Sequence, residues 1–144
     1  MALIIGIARG IVVIMDAGKI TDTILFAGAD LLSDLSPVGF VNVSFGIEFV
    51  LSFFVPSSSG LAVLTMPIMA PLADFAQVDR SLVVTAYQSA NGLVNLINPT
   101  FAVVMGALAI GGVPYNRWLR FMWPLLLLLT VLIMAGLSIS VIAP

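Results

Sequence analysis

Two polar interruptions in a greasy chain carry the residues that could do chemistry. The first is Val55-Pro56-Ser57-Ser58-Ser59-Gly60, a helix-breaking proline followed by three hydroxyls and a glycine. The second is Asn95-Leu96-Ile97-Asn98-Pro99-Thr100, where a proline and a threonine follow two amides. Hydroxyls, amides and backbone carbonyls freed by proline are hydrogen-bonding groups and sodium ligands rather than acid–base catalysts. The chain has no histidine and no cysteine, and its one lysine, Lys19, lies in a polar connector. A Ser–His protease, a thiolate metal site and a disulfide are therefore excluded. No catalytic residue, metal centre or cofactor is assigned, and the chain does not read as an enzyme.

The surroundings of these groups set their meaning. Of the 144 residues 61% are hydrophobic and 8% charged, against about a quarter charged in soluble domains. The windows 49–73, 81–116 and 121–144 hold no charge at all, and each exceeds the roughly 20 residues of a membrane helix. The chain reads as a multi-pass integral membrane protein. Five Lys/Arg and a net charge of −2 exclude nucleic acid, which needs a clustered basic face. In lipid, irregular polar backbone survives only against protein or a wet cavity. The two interruptions thus belong to a buried site.

The elements follow in order. Residues 1–16 read as a membrane helix that starts without a basic flank or a cleavage pattern, so it is not a signal peptide. That start suggests a fragment or one piece of a longer polypeptide. Arg9 either marks function within the membrane or snorkels and pairs with Asp16 on the same face. Residues 20–35 form an amphipathic arm suited to the interface, ended by Ser36-Pro37. Residues 37–75 read as a re-entrant hairpin with its tip at 56–60. Glu48 is the only charge in its first limb, and it either couples a proton or pairs with a polar neighbour.

Residues 81–112 read as a broken membrane helix. Ser81, Thr85, Gln88, Asn91, Asn95 and Asn98 fall within an arc of roughly 140°. Such a stripe borders a neighbouring helix as hydrogen-bonding glue, or it borders a solute path. Pro99 removes a donor and frees the carbonyl four residues back, which places a polar break in the span. Arg117, Arg120, Tyr115, Trp118 and Trp123 make an interfacial anchor, and 117–142 is a last, almost featureless membrane helix. Positive-inside puts those arginines in the cytoplasm and the C-terminus, the 74–80 connector and the hairpin mouth outside. Two broken elements in one short chain match the midplane sites of secondary transporters. The charge ring or shared carbonyl filter of a channel is not visible.

The strings Ile7-Ala8-Arg9-Gly10-Ile11-Val12-Val13-Ile14-Met15-Asp16, Phe53-Phe54-Val55-Pro56-Ser57-Ser58-Ser59-Gly60 and Tyr87-Gln88-Ser89-Ala90-Asn91-Gly92-Leu93-Val94-Asn95 resemble the C4-dicarboxylate anaerobic carrier family. The nearest likeness is to its branch of basic amino-acid antiporters. The resemblance covers essentially the whole chain, but only the C-terminal part of a family member. It implies the fold of the wider ion-transporter superfamily: two inverted repeats, each with a re-entrant hairpin and a broken helix. Related carriers have a Ser-Asn-Thr motif at the hairpin tip. Here the tip keeps the hydroxyls and lacks the amide, so their substrate and sodium roles do not transfer directly. Asn98-Pro99-Thr100 matches the broken-helix position better. The resemblance further implies a missing N-terminal repeat as partner, a homodimer when complete, and the bacterial inner membrane.

The sequence thus predicts an all-α polytopic membrane protein, one inverted-repeat half of a secondary transporter. Its expected function is ion-gradient-driven transport of small carboxylates or amino acids. Ser57, Ser58, Ser59, Asn91, Asn95, Asn98 and Thr100 are the expected solute-binding residues. Gly60, Glu48 and Asn95 are the expected ion-coupling positions, for sodium or a proton. The alternative is a non-transporting membrane subunit, or a relic, whose polar stripe packs against a partner.

Overall fold

The computed structural model describes residues 14, 17–19, 23 and 35–142. Apart from those single positions, the membrane helix expected over 1–16 and the arm expected over 20–35 lie outside the described residues. All regular structure among the described residues is helical, in five elements: α1 (Pro37–Phe54), α2 (Ser58–Phe75), α3 (Arg80–Asn95), α4 (Ala102–Ile110) and α5 (Tyr115–Ile142). Three of them, α1, α2 and α5, are long and apolar enough to cross a membrane. At 1.5 Å per residue the 18 residues of α1 and of α2 each make about 27 Å of helix.

Local chemistry fixes each boundary. Ser36 caps α1 by accepting the Gly39 N–H at 3.2 Å, and Pro37 sits where its missing N–H costs nothing. Val55 leaves the helix because it precedes Pro56, whose ring disfavours helical backbone before it. Ser57 then caps α2 through the Gly60 N–H at 3.3 Å. A β-carbon on Gly60 would stand 3.2 Å from that capping oxygen, so the tight turn suits glycine. The hairpin connector is therefore three residues, Val55 to Ser57, and Ser58-Ser59-Gly60 already belong to α2. Helix α2 runs unbroken through Pro67 and Pro71.

The α2 terminus is a Schellman motif. Val78 N–H donates to the Ala73 carbonyl and Gln77 N–H to that of Asp74, with Gln77 at φ 54. Asp79 caps α3 through the Ser81 N–H at 2.7 Å, and that bond holds its carboxyl below the usual carboxylate range. Arg80 pairs with Asp74 across this exposed connector. Helix α4 ends in a second Schellman motif, which uses Gly112 at φ +62.

Helix α3 is the hub. It packs most extensively on α1 and also on α2 and α5. Lipid tails are as apolar as the helices, so helix association in a bilayer rests on close packing and polar bonds rather than on hydrophobic drive. Ala86 and Ala90, one turn apart and wholly buried, give α3 a small-residue seam. The buried face of α1 comprises Phe40, Val41, Ser44, Phe45, Glu48 and Ser52. By contrast α4 has only Leu108 buried.

Helix α5 begins at Tyr115 and is the least buried of the three candidate spans, yet it makes specific polar contacts. Ser138 accepts from Asn42 of α1 at 2.9 Å, and Met122, Leu126 and Leu137 are buried. Two of its side chains complete the α3 break. Trp118 Nε1 donates to the Leu96 carbonyl at 2.9 Å, and Tyr115 Oη donates to that of Ile97. These carbonyls have lost their helical partners, and in lipid an unpaired one is costly. Tyr115→Phe and Trp118→Phe should each lower stability in detergent by about 1–3 kcal/mol. Hydrogen exchange should localise the loss to residues 96–101.

Candidate polar site at the helix breaks

The two interruptions meet in space. Asn98 is buried, and its Nδ2 donates to the carbonyls of Ser52 at 3.4 Å and Phe53 at 3.2 Å. Those are among the last carbonyls of α1, left unpaired because Pro56 stops the helix. The same side chain organises its own break. Asn98 Oδ1 accepts from the Thr100 N–H at 3.0 Å and from the Thr100 hydroxyl at 2.8 Å. One amide thus clamps the end of α1 and shapes the turn that leads into α4.

A second amide layer lies one to two turns back. Asn91 Nδ2 reaches Ser52 Oγ at 3.5 Å, and Asn91 Oδ1 accepts from Asn95 Nδ2 at 2.9 Å. Asn95 is half-buried, and its own Oδ1, itself buried, has no partner among the described residues. On the other limb, Tyr87 Oη donates to the Ser58 carbonyl at 2.6 Å, which ties the start of α2 to α3. The side chains of Ser58, Ser59 and Thr100 remain exposed. Ser57 Oγ serves as the α2 cap.

The expected solute ligands therefore divide by geometry. Asn91 and Asn98 spend their amides on the chain itself, whereas Ser58, Ser59 and Thr100 are exposed and Asn95 Oδ1 is buried with its bonding capacity unused among the described residues. Of the carbonyls at the break, those of Leu96 and Ile97 are taken by α5. Pro99 offers no N–H to the Asn95 carbonyl four residues back. Gly60 lies buried in the first turn of α2 with its N–H held by Ser57.

The polar stripe of α3 splits. Ser81, Thr85 and Gln88 are exposed, while Asn91 and Asn98 are buried. Thr85 and Ser89 line a groove of about 340 Å³ against Gly136 and Ser140 of α5. A single wheel projection cannot show this, because α3 has neighbours on several sides.

Glu48 is wholly buried on α1, one turn before Ser52. Neither carboxyl oxygen has a hydrogen-bond partner among the described residues. Thr65 of α2 faces it, but that hydroxyl donates to the Leu61 carbonyl at 3.1 Å. Tyr87 of α3 is also near. Burying an ionised, unpaired carboxylate costs several kcal/mol even after relaxation. Neither Ser52 nor Thr65 stands out in the sequence, and Tyr87 enters there only within a family-like string, without a role of its own. Ser52 could have been found as the hydroxyl four residues beyond Glu48; Tyr87 and Thr65 carry no such signal.

The family model for the C4-dicarboxylate anaerobic carriers (DcuC) matches residues 1–142. The chain belongs to this family. Among curated proteins, one from Haemophilus influenzae described only as uncharacterized is 39% identical over 126 residues, covering 88% of this chain and 25% of that protein. The Escherichia coli protein named "Putative basic amino acid antiporter YfcC" is 36% identical over 124 residues, covering 83% of this chain and 24% of that protein. The chain thus spans about a quarter of the length of these relatives. No solved structure matches it. Family and apolar helices together make it a membrane protein of a carrier lineage.

Replacing Asn98 with Leu should orphan the Ser52 and Phe53 carbonyls and the Thr100 N–H, at about 1–3 kcal/mol for each buried group. Ser52→Ala should cost less, since its contact with Asn91 lies at the long limit of a hydrogen bond. Thermal unfolding in detergent ranks the two variants, and a larger loss for Ser52→Ala would contradict the clamp.

Proposed function

We propose that the chain is the C-terminal inverted repeat of a secondary carrier in the bacterial inner membrane. It acts with an N-terminal repeat, in a homodimer, to transport small carboxylates or amino acids, driven by an ion gradient. The observation that carries this reading is the Asn98 clamp, which joins the end of α1 to the break between α3 and α4. Transporters build midplane sites from such paired helix breaks, whose ends offer dipoles and free backbone groups to a solute. Ser58, Ser59, Thr100 and Asn95 are the groups that receive the solute. Asn91 and Asn98 hold the two breaks in register. Membership of the carrier family supports transport, and the name of the E. coli relative favours amino acids as cargo.

One observation favours a second reading. The amides of Asn91 and Asn98 are committed within the chain, as expected of packing glue in a non-transporting subunit. Uptake separates the two. The chain is reconstituted with the segment that completes its relatives, and solute uptake is compared with that of the double variant Ser58→Ala, Ser59→Ala. Losing two contacts of about 1 kcal/mol each should lower uptake roughly tenfold to a hundredfold. Unchanged uptake would remove the site assignment.

The hairpin reading has its own test, helped by the absence of native cysteine. A cysteine at Ser59 in a re-entrant tip should react slowly with an impermeant maleimide and be protected by solute. Fast, unprotected labelling from the side opposite Gln77→Cys would instead mean two full crossings.

A further inference from the structure

We propose that Glu48 carries the coupling proton, and that its protonation is the condition for α1 to close against α2 and α3; this deepens the carrier reading and rests on it. Glu48 is 0% exposed, and both its oxygens lack a partner among the described residues. Few ionisable side chains lie on the described helices around it. Helix α1 has no other ionisable side chain. On α2 the only one is Asp74, and on α3 they are Arg80 and Tyr87. Asp74 and Arg80 are exposed and paired with each other, and Tyr87 is engaged with Ser58. Helix α5 contributes Tyr115, whose hydroxyl is engaged with Ile97, and Arg117 and Arg120, both exposed. Among the described residues, then, no cation faces Glu48.

The Thr65 hydroxyl faces the carboxyl and donates to the Leu61 carbonyl at 3.1 Å. That hydroxyl oxygen retains a lone pair, so it can accept the proton of a neutral carboxyl. The closed packing therefore suits the neutral acid, and the ionised form requires water at the α1–α2–α3 junction. Glu48 takes its proton from water when that junction is open and returns it to water on reopening, with no other bond changed. Ser52, one turn away, links this event to the clamp, since its hydroxyl meets Asn91 and its carbonyl meets Asn98.

The test exploits composition: Glu48 is the only glutamate in the chain. Carboxyl-¹³C glutamate therefore reports on one site without any substitution. In lipid nanodiscs near neutral pH, infrared spectra of the whole chain should show the labelled carbonyl stretch of a neutral acid. The label should be insensitive to sodium chloride and should vanish in Glu48→Gln. A labelled carboxylate band under these conditions, or one that appears on adding sodium, overturns the proposal. In the reconstituted complete carrier, Glu48→Gln should lose at least tenfold of uptake driven by a pH gradient while solute counterflow persists. Unchanged pH-driven uptake also overturns it. Failure of all uptake in the unsubstituted carrier would count against the carrier reading, and the infrared result would still decide the protonation state.

Discussion

Every structural decision in this chain answers to one constraint: a backbone carbonyl in hydrocarbon has no water to turn to. Continuous helices meet it by themselves. The ends of α1 and α3 do not, and the molecule supplies side chains to meet the need. Asn98 takes the carbonyls of Ser52 and Phe53, while Trp118 and Tyr115 take those of Leu96 and Ile97. Both breaks survive because two other elements are committed to them. They are fixed relative to one another by bonds rather than by the shape of a loop.

The commitment has a functional side. Groups used for positioning are not free for binding, and groups free for binding must be positioned by something else. Asn91 and Asn98 belong to the first kind. Ser58, Ser59 and Thr100 belong to the second, standing exposed at a helix start and just beyond a helix break. Glu48 belongs to neither: it is buried without a bond, where packing rather than hydrogen bonding is its environment. The Asn98 clamp and the Glu48 junction share α1.

Much of the architecture was legible because its signals are local. Pro37, Pro56 and Pro99 lack donors wherever they sit, and the hydroxyl of Ser36 or Ser57 can cap only the helix that follows it. The hairpin connector and the helix break could be read from such residues. Where the reading slipped, a neighbour was responsible. The tip narrowed to Val55–Ser57 because the Ser57 cap draws Ser58, Ser59 and Gly60 into α2. The last span was expected to be featureless, yet Ser138 holds Asn42 from ninety-six residues away. The amide stripe looked continuous on a wheel and divided once α1 covered one part of it.

The sequence by itself determined that the chain is a membrane protein, where its helices stop, and which polar residues interrupt the apolar background. Composition, proline and capping hydroxyls act within a few residues, so no partner is needed to read them. Only the tertiary structure decided which interruption faces which, and which amides are spent in holding them together. It also decided that Glu48 stands without a counter-charge among the described residues. Those outcomes depend on the approach of side chains 29 to 46 positions apart in the chain, such as Tyr87 to Ser58 and Asn98 to Ser52. No local propensity encodes that approach; the packing of α3 among its neighbours creates it.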